Sequence, residues 1–331
     1  MSSLRRRAGW SLVGLSLALH LVTVYCFSRQ PDRFAAFTVL PIWLWGGAGL
    51  FLSVIAFYFL RASLSLIVTG VWAITLLVGS DEARVLANFG KPVPQPGNAG
   101  YFQGSPVLRV VTMNCAIFSY GDPSKDIAVW QPDIVLLQDA MPHQVRQIAD
   151  ALYGGHGDYR SHDTNGVVTR WKILREVRNP SQREQQVTVS MPDGSSVEVV
   201  NVHLQSAATD LRFWNRPTWT AHRVNRAHRH NELSLTLQIL EKTTQFPNSP
   251  TILGGDFNSA ATDVVHRLLD RDFIDAFPAV GTGWGDTFHS RLPILRIDQI
   301  YSTRHFTPVR CRTVTTRHSD HRMVVADFLK G

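Results

Sequence analysis

Acidic, amide and imidazole side chains recur at the ends of short apolar runs in this sequence. One run, Val110 to Met113, ends in Asn114, and another, Ile252 to Gly255, leads to Asp256 and Asn258. The other residues of this kind are Asp139, His203, Asp298, Asp320 and His321. Such runs predict buried strands, and groups at the rim of a rigid sheet can converge on one small ligand. These eight side chains are therefore candidates for a site that acts on an anion.

Each of these residues also has an ordinary structural interpretation. A carboxylate after a strand is commonly a cap or a turn residue, and a single histidine is commonly structural. The functional interpretation depends on six such segments following one another in a fixed order within one region of the chain. That order, more than any single residue, indicates a catalytic site.

The six segments resemble the motifs of the endonuclease/exonuclease/phosphatase superfamily, which has the deoxyribonuclease-like fold. They read Thr-Met-Asn114, Leu-Gln-Asp139, Asn201-Val-His203-Leu, Gly-Asp256-Phe-Asn258-Ser, Arg-Ile-Asp298 and Ser-Asp320-His321. The resemblance covers roughly residues 107–329. It implies an α+β fold in which two mixed sheets form a four-layered α/β/β/α sandwich, and hydrolysis of phosphodiester, phosphomonoester or pyrophosphate bonds.

The resemblance also implies roles for the eight residues. Hard oxygen ligands suit Mg²⁺ or Mn²⁺, so a metal is expected at Asn114 and Asp139, with Asp320 as a further carboxylate. Asp256 is expected to orient or deprotonate the attacking water, and Asn258 to hold a phosphate oxygen. His321 acts on the same phosphate with Asp298 accepting its other ring N–H, and His203 is expected to be the second imidazole.

One position departs from the family pattern. The superfamily usually has glutamate where this chain has Asp139, whose side chain is one methylene shorter. Metal ligation is still available to aspartate, although the ion would lie deeper or bind through a water, and the metal preference can change. A domain that binds phosphate without turnover is the alternative, and the other intact motifs argue against it.

The strand and helix pattern changes at Val107. Eight strands are predicted from β-branched runs, at residues 108–114, 133–137, 186–190, 197–203, 251–254, 297–301, 309–315 and 323–328. Four helices are predicted between them, at residues 123–131, 143–152, 222–241 and 262–270. Many strands with few helices in mixed order predict a layered α+β domain over residues 107–331.

Three long apolar segments open the chain, at residues 10–27, 37–60 and 63–80. Each reaches the length of about 18 to 20 residues that a helix needs to cross a bilayer. Three buried helices of a soluble domain and a cleaved signal peptide are the alternatives. Consecutive helices that are apolar all round seldom pack in water, and no small-residue cleavage site follows the first segment. We therefore predict a membrane anchor over residues 1–80, similar to the membrane-anchored bacterial branch of the superfamily.

The charges flanking these segments predict an orientation. Arg5, Arg6 and Arg7 precede the first segment and favour a cytoplasmic N-terminus, so that three crossings would leave the catalytic domain on the extracytoplasmic side of the plasma membrane. Arg29 and Arg33 oppose this orientation and Arg61 supports it. Residues 81–106 are rich in proline and glycine, which predicts a linker without regular helix or strand and without rigid docking.

Composition gives weaker constraints on the function. The formal net charge is +7 and the isoelectric point is near 9.6, which favours an anionic partner without choosing among nucleic acid, phosphate ester and lipid. The three cysteines have no metal-binding spacing and indicate no disulfide framework. No protein partner is predicted.

A basic and aromatic segment follows His203 and bears on the substrate. Its candidate contact residues are Arg212, Trp214, Arg216, Trp219 and Arg223. Such residues can hold a nucleic-acid strand or lie in a lipid headgroup layer, and a solvated helix start is the ordinary interpretation. Tethering to the bilayer gives a high effective substrate concentration to an enzyme whose substrate is in the bilayer, so a lipid-linked phosphate is the leading prediction. An anchored nuclease is second, and a non-catalytic phosphate-binding protein is third.

Overall fold

A computed structural model describes residues 3–97, 99–178, 184–207 and 210–331. Nine α-helices lie in these residues: α1 (Ser3–Arg29), α2 (Ala35–Thr38), α3 (Ile42–Leu60), α4 (Ser63–Gly79), α5 (Asp81–Val85), α6 (Ser124–Ala128), α7 (Pro142–Tyr153), α8 (Arg216–Thr243) and α9 (Ala276–Val280). The strands are β1 (Tyr101–Phe102), β2 (Ser105–Asn114), β3 (Ile134–Gln138), β4 (Asp158–His162), β5 (Asn165–Thr169), β6 (Ile173–Arg178), β7 (Gln185–Ser190), β8 (Ser196–His203), β9 (Thr251–Asp256), β10 (Phe273–Asp275), β11 (Asp298–Thr303), β12 (Phe306–Val314) and β13 (Met323–Lys330).

The strands form two mixed sheets, as predicted. The first sheet has the order β12-β13-β2-β3-β5-β4 with β1 beside β2, and the second has the order β10-β11-β9-β8-β7-β6. Each sheet contains one parallel pair, β2 with β3 and β8 with β9, among antiparallel neighbours. The carboxyl ends of these two parallel pairs supply most of the predicted site residues.

The side-chain alternation of the strands builds four layers. On β2, Val110 packs between the sheets, while the next residue, Val111, packs under α6 and α7. On β8, Val199 faces the core between the sheets and Val200 packs against α8. Because successive side chains of a strand point to opposite faces, each sheet is covered on both sides. The order of the layers is consistent with the predicted α/β/β/α sandwich.

All eight predicted strands are present with shifted ends, but five others were missed. Two of these, β4 and β5, form one edge of the first sheet, and β6 lies at one edge of the second sheet beside β7. β4 and β6 contain polar and charged residues at half-buried or exposed positions. Their sequences lack the apolar alternation that marks a strand. β1 and β10 are only two and three residues long. The helix predicted at 262–270 is a short 3₁₀ helix, Val264–Leu268.

The N-terminal apolar segments form the helices α1, α3 and α4, which pack together. α1 and α3 are long and apolar enough to cross a membrane, and a third span results when α4 is counted with the bent segment Asp81–Asn88. α3 begins at Ile42 instead of Phe37, because Pro41 precedes it in an extended conformation. Buried polar contacts join the helices, among them a hydrogen bond from Trp72 Nε1 to Ser16 Oγ.

The segment after the anchor is more ordered than predicted. It contains α5, a 3₁₀ helix at Leu86–Asn88 and β1, so the prediction of no regular structure was wrong over these residues. Ser80 caps α5 by accepting a hydrogen bond from Ala83 N, which the proline content of the later residues did not indicate. The segment is also docked, because Asp81 forms an ion pair with Arg296 at 2.8 Å.

Candidate active site

The predicted site residues meet at the seam where the two sheets face each other. His203 ends β8, Asp256 ends β9 and Asp298 begins β11. The sheet register sets Asp256 directly beside both of the others, with β8 parallel and β11 antiparallel to β9. Three side chains from residues that span 95 positions of the sequence therefore lie side by side.

The position before Asp256 on β9 requires glycine. Gly255 has a φ of 139°, in the region that favours glycine, and a Cβ atom there would lie 2.0 Å from Val202 O. No larger residue fits between β8 and β9 at this point without moving the backbone. The Gly254-Gly255 pair therefore allows β9 to bring Asp256 to the seam.

Hydrogen bonds across the seam fix the two halves of the site to each other. Asn114 Nδ2 on the first sheet donates to Asp256 Oδ2 on the second at 3.0 Å. Next to the site residues, Gln138 Nε2 donates to Asn201 Oδ1 at 2.6 Å, and Asn201 Nδ2 donates to Leu137 O at 2.8 Å. Because these groups are buried, breaking a bond would leave unpaired polar atoms. The sequence motifs contain Gln138 and Asn201, but their role in joining the sheets was not predicted.

His321 and Asp298 form a buried pair. His321 Nδ1 lies 2.9 Å from Asp298 Oδ2, and its Nε2 lies 4.0 Å from Asp256 Oδ2. Burial alone would lower the pKa of His321. The charge and hydrogen bond of Asp298 outweigh this effect, and the charges of Asp256 and Asp320 add to them, so that the pKa is raised to about 10. The imidazole is therefore held as a cation at neutral pH and can donate a proton from Nε2 to an anion.

His203 lies between two carboxylates on the other side of Asp256. Its Nδ1 is 3.8 Å from Asp139 Oδ1 and its Nε2 is 3.9 Å from Asp256 Oδ2, so neither contact is a hydrogen bond. Nδ1 is buried and has no hydrogen-bond partner among the described residues. Asp139 is partly exposed and has a φ of 45°, in the left-handed region of the backbone.

Asn258 lies at the same rim, two residues beyond Asp256. Its backbone N–H donates to Asp256 Oδ1 at 2.8 Å, and its side-chain Nδ2 donates to Leu204 O at 3.0 Å. Its φ of 50° is in the left-handed region, which asparagine tolerates better than most residues. Among the described residues the second hydrogen of this amide group has no acceptor, so one donor is available for a phosphate oxygen.

The acidic residues of the site are suited to a divalent cation. Asp256, Asp298 and His321 offer ligand atoms within 4.8 Å of one another, and in the described part of the chain no other His, Cys, Asp or Glu group does so. Asp298 Oδ1 is buried without a hydrogen-bond partner there. Hard cations such as Mg²⁺ prefer oxygen donors, which Asp256, Asp139 and Asn114 supply.

Asp320 is placed differently from the other predicted ligands. It is half-buried, its backbone O accepts a hydrogen bond from Ser290 N, and its charge helps to raise the pKa of His321. Its assignment as a metal ligand stays a prediction. The preceding residue, Ser319, has a positioning role that the sequence did not reveal, because Ser319 Oγ donates to Asn114 O and accepts from His321 N.

Thr287 is a second positioning residue that was missed. Its buried Oγ1 accepts hydrogen bonds from Ile297 N at 3.2 Å and Asp298 N at 3.1 Å. These bonds hold the start of β11 and with it the carboxylate that orients His321. No sequence pattern marks this threonine, because it lies ten residues before the motif that it supports.

The five predicted contact residues after His203 are not gathered at the carboxylates. Arg212 is exposed and pairs with Asp210 at 2.9 Å, and Trp214 is 80% exposed. Arg216 and Arg223 are exposed on α8. Trp219 packs against the anchor instead, with its ring centroid 6.1 Å from that of Phe34.

Comparison with known proteins agrees with this fold. A model of the Endonuclease/Exonuclease/phosphatase family matches residues 117–321 of the chain. No curated protein sequence matches it. A mannosyl-6-phosphatase from Bacteroides thetaiotaomicron is similar in structure, with 16% identity, a TM-score of 0.55, and coverage of 67% of this chain and 99% of that one.

Two further solved structures show the same fold. One is an endonuclease/exonuclease/phosphatase family protein from B. thetaiotaomicron, with 16% identity, a TM-score of 0.55, and coverage of 68% of this chain and 95% of that one. The other is D. rerio TDP2 complexed with a single-strand DNA product, with 16% identity, a TM-score of 0.52, and coverage of 67% and 98%. This chain therefore belongs to the endonuclease/exonuclease/phosphatase family, whose members are metal-dependent phosphoester hydrolases.

Proposed function

We propose that this protein is a membrane-anchored hydrolase that uses Mg²⁺ or Mn²⁺ to cleave a lipid-linked phosphate, pyrophosphate or phosphodiester at the membrane surface. The observation that carries the proposal is that the active-site edge of the sandwich faces the N-terminal helices. The segments that leave the strands at this edge are the ones that contact the anchor.

Three contacts support this orientation. Gln30 Nε2, in the connection between α1 and α3, donates to Thr262 O at 2.7 Å, four residues beyond Asn258. Trp43 at the start of α3 packs against Trp284, with ring centroids 5.8 Å apart. Phe34 packs against Trp219 at the start of α8. If α1, α3 and α4 lie in a bilayer, these contacts hold the active site close to the headgroup layer.

The surface of the active-site edge carries exposed apolar side chains. They lie on several loops that border the site, namely Ile117, Tyr120, Leu211, Trp214 and Leu292. Aromatic and aliphatic residues exposed beside a membrane anchor are typical of surfaces that enter the headgroup layer. Exposed arginines follow Leu211 in the chain, namely Arg212, Arg216 and Arg223, and can approach lipid phosphates.

The chemistry follows from the geometry of the site. A bound divalent cation would neutralise phosphate charge, and Asp139, Asn114 and Asp256 are the residues that would hold it. Asp256 can also orient the attacking water, while the cationic His321 donates a hydrogen bond to a phosphate oxygen. Asn258 and His203 border the same space from the second sheet.

The test is hydrolysis by the purified full-length protein in detergent with Mg²⁺, Mn²⁺ or EDTA. The substrates are a polyprenyl pyrophosphate, a phospholipid and plasmid DNA. We expect metal-dependent release of phosphate or headgroup from a lipid with the DNA left intact. Absence of any turnover would support a domain that only binds phosphorylated ligands.

Two variants link turnover to this site. Asp256→Ala and His321→Ala are each expected to abolish turnover, and Asp150→Ala, on the exposed face of α7, is the control for a carboxylate outside the site. If both site variants keep full activity, the assignment of the site is wrong.

A membrane-tethered nuclease is the second candidate. Its support is the similarity to D. rerio TDP2, whose structure includes single-strand DNA, together with the exposed arginines on α8. Metal-dependent nicking of plasmid DNA that Asp256→Ala removes, with lipids untouched, would establish this function in place of the first.

A further inference from the structure

We infer that the junction between the anchor and the catalytic domain is a binding site for a phospholipid whose headgroup carries a phosphate and a primary ammonium. This lipid is a bound ligand and not the substrate. The site is a cavity of about 630 Å³ between α1, α4 and the 3₁₀ helix Val264–Leu268, and we call it the anchor cleft.

One wall of the anchor cleft is apolar. It is formed by Val24 and Phe27 of α1 and by Ile74 and Val78 of α4. Three of these side chains, Val24, Ile74 and Val78, are exposed, with 40% to 67% of their surface accessible. Apolar side chains around an open cavity between two membrane helices match a lipid chain better than they match water.

Other parts of the cleft lining are charged. Arg84 lies on α5, and Arg267 and Asp270 belong to the segment that follows Asp263. The cavity therefore changes from apolar to charged where the helices meet the catalytic domain. An amphipathic ligand matches a lining that is partly apolar and partly charged, and the volume lies within the range of ligand sites, about 300 to 1,000 Å³.

The pairing of charges in the cleft selects the headgroup. Asp263 is bound by Arg226 at 3.1 Å, and Asp81 is bound by Arg296 and has Arg84 at 3.7 Å. Arg267 and Asp270 have no ion pair among the described residues, and the guanidinium of Arg267 donates only to Ser28 O, at 3.1 Å. Both residues are exposed, so one cation and one anion at the cleft face solvent instead of a charged partner.

A zwitterionic headgroup complements this pair. Its phosphate matches Arg267, with Arg84 nearby, and its ammonium matches Asp270, so the charges of cleft and ligand cancel. A primary ammonium can donate hydrogen bonds to a carboxylate, whereas a trimethylated one cannot, which favours a phosphoethanolamine over a phosphocholine headgroup. An anionic headgroup without an ammonium would leave Asp270 facing a second negative charge.

The test measures binding and does not depend on hydrolysis. Delipidated full-length protein in detergent is titrated with phosphatidylethanolamine, phosphatidylcholine or phosphatidylglycerol, and the bound lipid is counted by native mass spectrometry. We expect one phosphatidylethanolamine to be retained roughly tenfold more tightly than either other lipid. Equal retention of the three lipids would overturn the inference and indicate nonspecific annular lipid.

Variants locate the bound headgroup. Arg267→Gln is expected to weaken phosphatidylethanolamine binding roughly tenfold, and Asp270→Asn to remove the preference over phosphatidylglycerol. Arg271→Gln is the matched control, because Arg271 is the next residue in the chain and its side chain is 90% exposed. If the control weakens binding as much as Arg267→Gln does, the lipid does not occupy the anchor cleft. The lipid series on the unmodified protein tests the inference even if a variant fails to fold.

Discussion

At the level of single residues, hydrogen bonds that link the two sheets hold the candidate site residues, from Asn114 to Asp256 and from Ser319 to Asn114. His203, Asp256 and Asp298 could be predicted to converge because each lies at the end of a strand. The bonds from Asn114 to Asp256 and from Ser319 to Asn114 could not, because they join residues more than 140 positions apart. Such contacts depend on the packing of two sheets, which local patterns do not specify.

Asp139 is the residue whose side-chain length should be tested first. Because a glutamate carboxylate reaches about one methylene further, Asp139→Glu is expected to keep turnover and to lower the Mg²⁺ concentration needed for half of the maximal rate. Asp139→Asn removes the charge and is expected to reduce turnover by roughly 100-fold. Titration of activity with Mg²⁺ and Mn²⁺ measures both effects, and an Asp139→Asn variant with unchanged metal dependence would exclude this residue from the metal site.

Asp298 is expected to act through His321. In an Asp298→Asn variant the imidazole loses the charge that holds its proton, so the pKa of His321 falls and the donor to the phosphate is lost at neutral pH. We expect turnover to fall by roughly 100-fold near pH 8 and to recover partly at lower pH. Measuring the rate from pH 5.5 to 8.5 distinguishes this from simple unfolding, which would lower the rate equally at every pH.

At the level of elements, α8 joins the catalytic domain to the anchor. Arg226 on this helix is 1% exposed, donates to Asp263 Oδ2 at 3.1 Å and also bonds Thr38 Oγ1. The sequence placed a helix here but gave no sign that one of its arginines is buried, because the connection that covers it lies almost 190 residues earlier. Asp263 in turn follows the Asp256–Asn258 motif by five residues, so this contact supports the catalytic loop.

Replacing Arg226 is expected to destabilise the protein strongly. Arg226→Met leaves Asp263 buried without a partner, which costs about 3 to 5 kcal/mol. A double variant with Asp263→Asn, which keeps the side-chain oxygen that accepts from Val265 N, should recover part of this loss. The midpoint of thermal unfolding in detergent measures both. Arg223→Met, one turn away on the exposed face, is the control, and an equal loss of stability there would show that the buried ion pair is not the cause.

The loop before β11 is expected to make the stability of the protein depend on pH. Burial, with the charge of Glu82 added, raises the pKa of Asp286 to about 7, above its usual value of 3.8. The folded protein therefore holds a proton on this side chain that the unfolded chain releases between these values. The resulting stability is fully present below pH 3.8 and is lost as the pH rises through 7.

Asp286→Asn should remove this dependence, because an amide stays neutral at every pH. We expect this group to lower the apparent thermal stability of the unmodified protein as the pH rises from 4 to 7, and the variant to lack this contribution over the same range. Thermal unfolding across this range is the measurement, and Asp150→Asn is the control for an exposed carboxylate. Parallel curves for the protein and the Asp286→Asn variant would contradict the proposed origin of the effect.

At the level of the whole molecule, the apolar segments predicted the anchor helices but not their attachment. The proline and glycine residues after Gly79 suggested a loose linker, whereas Asp81 and Asn88 bind Arg296 and Pro278 of the catalytic domain. The linker prediction failed because composition describes the intrinsic preference of a segment, and here tertiary contacts override it. The anchor and the active-site edge are consequently held together by contacts on several sides.

If α1, α3 and α4 cross a membrane, as proposed, the arrangement of these helices makes their orientation testable. Arg5 and Arg61 both contact Tyr58, so the N-terminus and the turn between α3 and α4 lie at one end of the anchor, and the catalytic domain lies at the other. The first end carries Arg5, Arg6, Arg7 and Arg61, whereas Arg29 and Arg33 lie near the second. The positive-inside rule therefore predicts a cytoplasmic first end and an extracytoplasmic catalytic domain.

Single cysteines report this orientation, because Cys26, Cys115 and Cys311 are fully buried and should not react. Ser3→Cys lies at the first end, and Glu241→Cys lies on the exposed face of α8 near its C-terminus. In intact bacterial spheroplasts, a membrane-impermeant maleimide is expected to label Glu241→Cys at once and Ser3→Cys only after permeabilisation. The reverse pattern would place the catalytic domain in the cytoplasm and restrict its substrates to lipids of the inner leaflet.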